Sequence, residues 1–279
     1  MDRIWFVTGS SRGFGRAIVE AALVRGDRVV ATARKPDQLD DLAKAFGDHV
    51  VPLELDVADP AAARSAVETA VKAFGSLDIV VNNAGYAASA PIEEMSEESF
   101  RDQIETNLFG VVNVTKAALP FLHRQRSGHF LQFSSIGGRV GGTPGMGAYQ
   151  TAKFAVEGFS EVLHAEVQPL GIKVTIVEPG GFRTDWGGSS MGTSAVGADY
   201  EDTVGMMDRF RESTVSTWRG DPKRAALILL DVVDLDEPPL RLLLGDGAVK
   251  SAEESSRKRA AEAEKWAEIS RSADFPEGQ

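Results

Sequence analysis

The chain contains no cysteine. Disulfides and a thiolate nucleophile are therefore excluded, and nothing in the chain calls for an oxidising compartment. Histidine is scarce as well. The four present (His49, His123, His129 and His164) show neither ligand spacing nor a neighbouring cluster of carboxylates, so they read as ordinary surface or helix histidines and no metal site is expected. Long hydrophobic runs are missing: no stretch approaches the ~20 apolar residues that span a bilayer. The opening "MDRIWFVTGSSRG" lacks the layout of a signal peptide, because its apolar run is short and leads straight into glycines. The expectation is a cytoplasmic protein that engages no membrane. Positive charge is in deficit, with 30 Lys and Arg against 41 Asp and Glu for a net charge of −11. Broad nucleic-acid binding needs a basic stripe, so that class is set aside.

What remains is an ordinary globular composition, 43% hydrophobic and 25% charged over 279 residues. Residues 3–8, 28–33, 50–55, 77–82, 129–134, 172–178 and 240–245 are apolar, β-favouring runs. Most are continuous rather than alternating, as expected of parallel strands covered on both faces. Between them, 14–25, 37–46, 60–74, 97–124, 148–169 and 221–234 have helical character. This alternation predicts an α/β fold, a doubly wound, mostly parallel seven-stranded sheet with helices on both faces, whose strand carboxyl ends share one ligand-binding edge.

Several boundaries are chemically marked. Asp59-Pro60 is an N-cap followed by proline at the first helical position, Ser96 caps a helix that begins Glu97-Glu98, and Gly171 closes the helix begun near 148. Residues 187–205 lack a period and are rich in Gly, Ser and Thr; with their flanks they suggest a lid over about 186–218. Its Trp186, Met191, Tyr200, Met206, Met207, Phe210 and Trp218 suggest an apolar pocket, although several of them would equally serve to pack the lid on the body. The expected organisation is one catalytic domain over 1–248 and a charged helical tail over 249–279 with Trp266 as its only large apolar anchor.

"TGSSRGFG" (8–15) joins the first strand to the first helix. Gly9, Gly13 and Gly15 let the backbone turn tightly and approach a pyrophosphate held at the helix N-terminus. The second strand ends "ATARK", with no acid to bond the ribose 2′-hydroxyl of NAD; Arg34 there, with Arg12 in the glycine loop, suits the 2′-phosphate of NADP. The plainer alternative makes Arg34 and Lys35 a solvated basic turn. In "AYQTAK", Tyr149 and Lys153 fall on one helix face. Alone the pair is compatible with chance neighbours on a surface; the sharper reading is an acid–base catalyst whose cation lowers the phenol pKa.

The ordered set "TGSSRGFG", "LDV" (55–57), "NNAG" (82–85), "SS" (134–135), "YQTAK" (149–153) and "PG" (179–180) resembles the short-chain dehydrogenase/reductase superfamily over residues 1–245. It looks most like the single-domain, NADP-preferring reductases similar to 17β-hydroxysteroid dehydrogenases. The resemblance implies an oxidoreductase that moves a hydride between NADP(H) and a carbonyl or alcohol, with Tyr149 as proton donor, Lys153 tuning it and holding the nicotinamide ribose, and Asn107 holding a relay water. It also implies a cofactor site built from Gly9, Ser11, Arg12, Gly13, Phe14, Gly15, Arg34, Asp56, Val57, Asn83, Ala84, Gly85, Tyr149, Lys153, Pro179, Gly180, Phe182 and Thr184, with Asn82 also lining the site and steadying the central sheet. The family's usual serine position falls on Ile136 here; Ser135 is the choice over Ser134, the glycine-rich loop that follows absorbing the extra residue. A homodimer or homotetramer acting on a small molecule is expected.

Two rivals remain. A non-catalytic NADP-binding redox sensor would be expected to lose the tyrosine or lysine, and both are kept. A sugar-nucleotide epimerase or dehydratase would need a larger C-terminal domain than the residues beyond 245 supply.

Overall fold

The computed structural model describes residues 2–184, 191–193 and 195–275. Its strands are β1 (Ile4–Val7), β2 (Arg28–Ala33), β3 (Val50–Glu54), β4 (Ile79–Asn82), β5 (Ala88–Ser89), β6 (Gly128–Phe133), β7 (Ile172–Pro179), β8 (Gly192–Thr193) and β9 (Arg241–Leu244). The helices are α1 (Gly13–Val24), α2 (Asp40–Phe46), α3 (Pro60–Phe74), α4 (Glu97–Ile104), α5 (Gly110–Gln125), α6 (Ile136–Arg139), α7 (Gly147–Val167), α8 (Met206–Thr214), α9 (Pro222–Asp234), α10 (Asp246–Lys265) and α11 (Ala267–Arg271). Seven strands form one all-parallel sheet in the order β3-β2-β1-β4-β6-β7-β9. The doubly wound, seven-stranded architecture read from the sequence is therefore present, with its strands displaced by only a residue or two.

The continuous apolar strands follow from the layering. In β1, Trp5 and Val7 pack towards α1 and α9 among Ile18, Ala22, Ala226 and Leu229, whereas Ile4 and Phe6 pack on the opposite face among Val67, Ala70, Val114 and Ala118. Successive side chains enter two different cores, so neither face can be polar. Each such side chain contributes roughly 1.5–3 kcal/mol on burial.

The expected caps form: Asp59 accepts from the amides of Ala61 and Ala62, Ser96 accepts from Ser99 N, and Gly171 closes α7 and its short 3-10 extension at φ +77°. Three details differ from expectation. The helix drawn over 97–124 contains a π turn at Glu105–Phe109. The two-residue strands β5 and β8 pair in parallel, a contact too short to leave a sequence period. The boundary drawn at 248/249 falls inside α10, and the tail is attached through buried Ala248 and Ala252 while Trp266 is 48% exposed, because two small residues let the helix lie close. His129 also departs from expectation: it is buried on β6. Among the described residues no helix is long and apolar enough to cross a membrane.

From β1 the chain winds outward to β3, then returns to β4 on the other side of β1. The crevice where the order reverses lies at the carboxyl ends of β1 and β4, the place where open α/β sheets bind ligands.

Candidate active site

Thr8 closes the end of β1 and holds the crevice together. Its hydroxyl oxygen accepts from the amides of Asn83 (2.9 Å) and Ala84 (3.0 Å), while its own amide donates to Val81. At Gly9, φ is +68° and a Cβ would stand 2.9 Å from the Cα of Ala84, so only glycine lets the two loops touch. Gly15 is packed just as tightly. A Cβ there would lie 2.3 Å from the carbonyl oxygen of Gly9, and the residue sits beneath the loop rather than in the crevice. It is a packing glycine.

The crevice is a cavity of about 640 Å³. Gly9, Ser11, Arg12, Gly13 and Phe14 line it from the first loop, with Asn83, Ala84 and Gly85 opposite. Asn82 points elsewhere: buried beneath the sheet end, it donates to Thr115 Oγ1 (3.0 Å) and Gln132 Oε1 (2.8 Å). The N-terminus of α1 opens into the cavity, and its N-cap, Arg12, makes no side-chain cap. Those first-turn amides and the helix dipole suit a pyrophosphate. One end of the cavity is lined by Arg12, Arg34, Lys35 and Gln38 beside Asp56 and Val57. None of the three cations forms an ion pair among the described residues. Lys35 adds a third cation to the expected pair, and the neutral amide of Gln38 lies beside it. The residues present fit a dinucleotide.

At the other end stand Ser135, Tyr149 and Lys153. Tyr149 and Lys153 lie one turn apart on α7, 6% and 4% exposed. Tyr149 is hydrogen-bonded to Ser135, whose oxygen also accepts from Gly137 N (3.0 Å) as the N-cap of α6. Ser134 instead turns its hydroxyl towards the carbonyl of Lys153, 3.5 Å away. The ammonium of Lys153 donates to the carbonyl of Phe133 (2.8 Å) and stands 5.8 Å from the centre of the Tyr149 ring.

Electrostatics here correct one expectation. In the protein alone the phenol pKa is raised rather than lowered. Burial pushes Tyr149 up to about 12, against a smaller opposing effect from the Ser135 hydrogen bond. Burial also pulls Lys153 down to about 8. Tyr149 is thus a phenol, the proton-donating form, throughout the neutral range.

Asn107 sits in the π turn, fully buried. Its Oδ1 accepts from Tyr86 N (3.2 Å) and its Nδ2 donates to Tyr86 O (2.9 Å) and Gln103 O (2.8 Å), so its amide clamps the chain after the "NNAG" turn. Tyr86 and Thr106 also line the cavity and had no signal in the sequence: Thr106 is presented by the π turn, and Tyr86 is held by Asn107 of that turn. Pro179, Gly180, Phe182, Thr184 and Trp218 form the remaining wall, where Phe14 packs against Phe133 and Phe182 at ring-centre distances of 5.4 and 4.8 Å.

The lid residues divide. Met191 joins Ala87 and Met146 in a small apolar cluster around Tyr149. Met206 and Phe210 are 54% and 61% exposed and Tyr200 bonds to Glu93, so these three do not build the expected apolar pocket. The reason is that α8 turns Asp208 and Arg211 inward, where Asp208 accepts from Ser89 Oγ and Arg211 Nη2, each at 2.7 Å. Trp186 and part of 187–205 lie outside the described residues. Among the described residues no group of three or more His, Asp or Glu is placed to hold a metal ion.

Residues 3–193 match the family model described as short chain dehydrogenase. The chain is 50% identical over 271 residues to oxidoreductase BOA17 of Botryotinia fuckeliana, covering 97% of this chain and 98% of that one. A crystal structure of a short-chain dehydrogenase from Streptomyces avermitilis superposes with a TM-score of 0.90 at 38% identity, covering 99% of this chain and 100% of its own. The closed form of serine dehydrogenase complexed with NADP+ gives a TM-score of 0.74 at 27% identity, over 86% of this chain and 94% of that one.

Proposed function

The chain belongs to the short chain dehydrogenase family, and from that premise we propose that it is an NADP(H)-dependent oxidoreductase acting on a carbonyl, or the matching secondary alcohol, of a hydrophobic small molecule. One observation carries the reading: Ser135 and Lys153 flank the buried Tyr149 at one end of a cavity whose other end presents three cations with no ion pair among the described residues.

Bound NADPH supplies the hydride, and NADP+ takes it up in the reverse direction. Arg12, Arg34 and Lys35 would hold the 2′-phosphate, and the open N-terminus of α1 would hold the pyrophosphate. As a carbonyl carbon becomes an alcohol carbon, its oxygen gains negative charge. Ser135 stabilises that oxygen by hydrogen bonding and Tyr149 gives it a proton. Lys153 then faces the phenolate left behind. Ala87, Met146 and Met191 around the Tyr149 ring, with Trp218 in the wall, exclude water and favour an apolar group beside the carbonyl.

The same reading makes residues 1–248 the catalytic unit and 249–279 an accessory tail. It also makes the protein a homodimer or homotetramer, for which exposed Phe109, Phe154 and Val162 near and along α7 supply apolar surface. The test is a panel of hydrophobic ketones and aldehydes followed by NADPH absorbance. Turnover of at least one supports the proposal; NADPH binding with no turnover across the panel, or no NADPH binding, counts against it.

A further inference from the structure

The stripe that begins with Tyr149 and Lys153 does not stop there. Glu157 and Glu161 follow at the same helical spacing on α7, and Glu157 is 5% exposed. A buried carboxylate one turn below a buried ammonium needs a partner of its own. It finds one in Arg241 of β9, whose Nη1 also bonds Glu178 Oε1 at 2.7 Å and whose Nη2 bonds Glu161 Oε1 at 2.7 Å. Glu178, fully buried, lies at the end of β7 immediately before Pro179 and Gly180. Its carboxylate also accepts from Arg139 Nη1, 3.4 Å from each oxygen.

Five charges thus join four elements. Arg139 ends α6, the short helix that Ser135 caps. Glu157 and Glu161 lie on the helix of Tyr149 and Lys153. Glu178 lies on the strand that leads into the cavity wall at Pro179 and Gly180, and Arg241 on its neighbour β9. The fit between α6 and α7 is close: a Cβ at Gly138 would stand 2.5 Å from Ser134 Oγ and 2.9 Å from the carbonyl oxygen of Lys153. The serine and the tyrosine come from separate elements, and their hydrogen bond depends on how α6 and α7 are set against each other.

We propose that Arg241 and Glu178 are positioning residues that set the Ser135-bearing turn against the Tyr149–Lys153 helix. Neither touches the main cavity. Arg241 crosses from Glu157 on the helix to Glu178 on the strand, and Glu178 passes the constraint to Arg139 beneath the serine turn. A guanidinium is suited to this because its donors are fixed in one plane and can hold two carboxylates at a set angle. Lysine would keep the charge and lose that geometry.

The inference rests on the catalytic reading of Ser135 and Tyr149, so the test separates the two. Turnover with NADPH is measured for the parent, Ser135→Ala, Arg241→Met and the double variant, with NADPH affinity and Tm measured alongside. Arg241→Met should lower kcat by about 10- to 100-fold, the scale of a small misplacement of reacting groups, with NADPH affinity little changed. In the Ser135→Ala background the same substitution should cost far less, since the group it positions is gone. Arg241→Lys should restore only part of kcat. If Arg241→Met does not fold, the cycle is run with Glu178→Gln and Arg241→Lys. Losses that multiply independently, or that track Tm and NADPH affinity together, overturn the positioning role. Undiminished turnover in Ser135→Ala itself would instead overturn the catalytic reading.

Discussion

The ammonium of Lys153 donates to the carbonyl oxygen of Phe133 at 2.8 Å, in a place where the lysine is 4% exposed. The bond ties α7 to the end of β6, one residue before the serine pair. It also leaves a cation in an apolar surround, and burial lowers its pKa from 10.5 to about 8. Between those values the unfolded chain holds the extra proton, so stability rises with pH through that window and the full penalty is present at pH 7. Lys153→Met should therefore raise the Tm of the cofactor-free protein at neutral pH, by about 2–4 °C for each kcal/mol relieved. The gain should shrink towards about pH 10, and turnover should be lost. A Tm that falls at neutral pH would show that the Phe133 bond outweighs the cost of burial.

The two serines are separable by substitution. Ser135 bonds to Tyr149, whereas Ser134 faces the backbone of Lys153. Ser135→Ala should lower turnover by ~10²-fold or more, as removal of one oxyanion donor does. Ser134→Ala should cost no more than the ~1 kcal/mol of stability typical of a lost hydrogen bond. Steady-state kinetics on both variants with the same ketone checks this; comparable losses would leave the assignment without support.

The fold was legible because parallel strands covered on both faces leave continuous apolar runs, as in β1, where Trp5 and Val7 serve one core and Ile4 and Phe6 the other. The site was legible where chemistry is local: glycines at a turn, an arginine at a strand end, a tyrosine and lysine one helical turn apart. It was illegible where the chemistry is a sum of environments. Nothing in "AYQTAK" states that burial will outweigh the Ser135 hydrogen bond and raise the tyrosine pKa. Nor does "ETNLF" state that its backbone widens into a π turn and hands Asn107 to Tyr86. The Arg241–Glu178 link joins residues 63 apart in sequence, and no local pattern records it.

Cofactor preference follows from the cationic end of the cavity. With Arg12, Arg34 and Lys35 lining the cavity, NADPH should bind more tightly than NADH. A charge-assisted hydrogen bond is worth ~1.5–3 kcal/mol, so Arg34→Ala should erode the preference at least about tenfold. Fluorescence titration of both cofactors with both proteins measures it. Equal affinity for the two in the parent would overturn the proposal.

His129 gives the protein a pH-dependent weakness away from the site. Thr175 Oγ1 donates to Pro239 O (2.8 Å), so His129 Nε2 must donate to Thr175 (2.9 Å), and Nδ1 is left buried and unpaired. Protonating Nδ1 would put a charge into the core, and burial holds the pKa down from 6.5 to about 3. The folded pKa lies below the unfolded one, so this stability is complete above pH 6.5 and is lost as pH falls towards 3. The slope from this group is at most about 1.4 kcal/mol per pH unit. Urea midpoints measured from about pH 7.5 to 5 should fall, and His129→Gln should flatten the decline even if it starts from a lower midpoint. An equal slope in the variant would assign the decline to other groups.

The catalytic reading is tested most directly at Tyr149. Tyr149→Phe keeps the ring that packs with Ala87, Met146 and Met191 and removes only the hydroxyl shared with Ser135. Stability should change by about 1 kcal/mol or less, the net worth of one hydrogen bond. NADPH affinity should persist, because Arg12, Arg34 and Lys35 hold the other end of the cavity. Carbonyl reduction should fall by ~10²–10⁴-fold, the usual contribution of a positioned acid. A redox sensor without turnover predicts no activity to lose, and chance neighbours on a helix predict no loss. Full reductase activity in Tyr149→Phe would return the tyrosine and lysine to the status of chance neighbours; unchanged cofactor binding with the chemistry gone would identify Tyr149 as the proton donor.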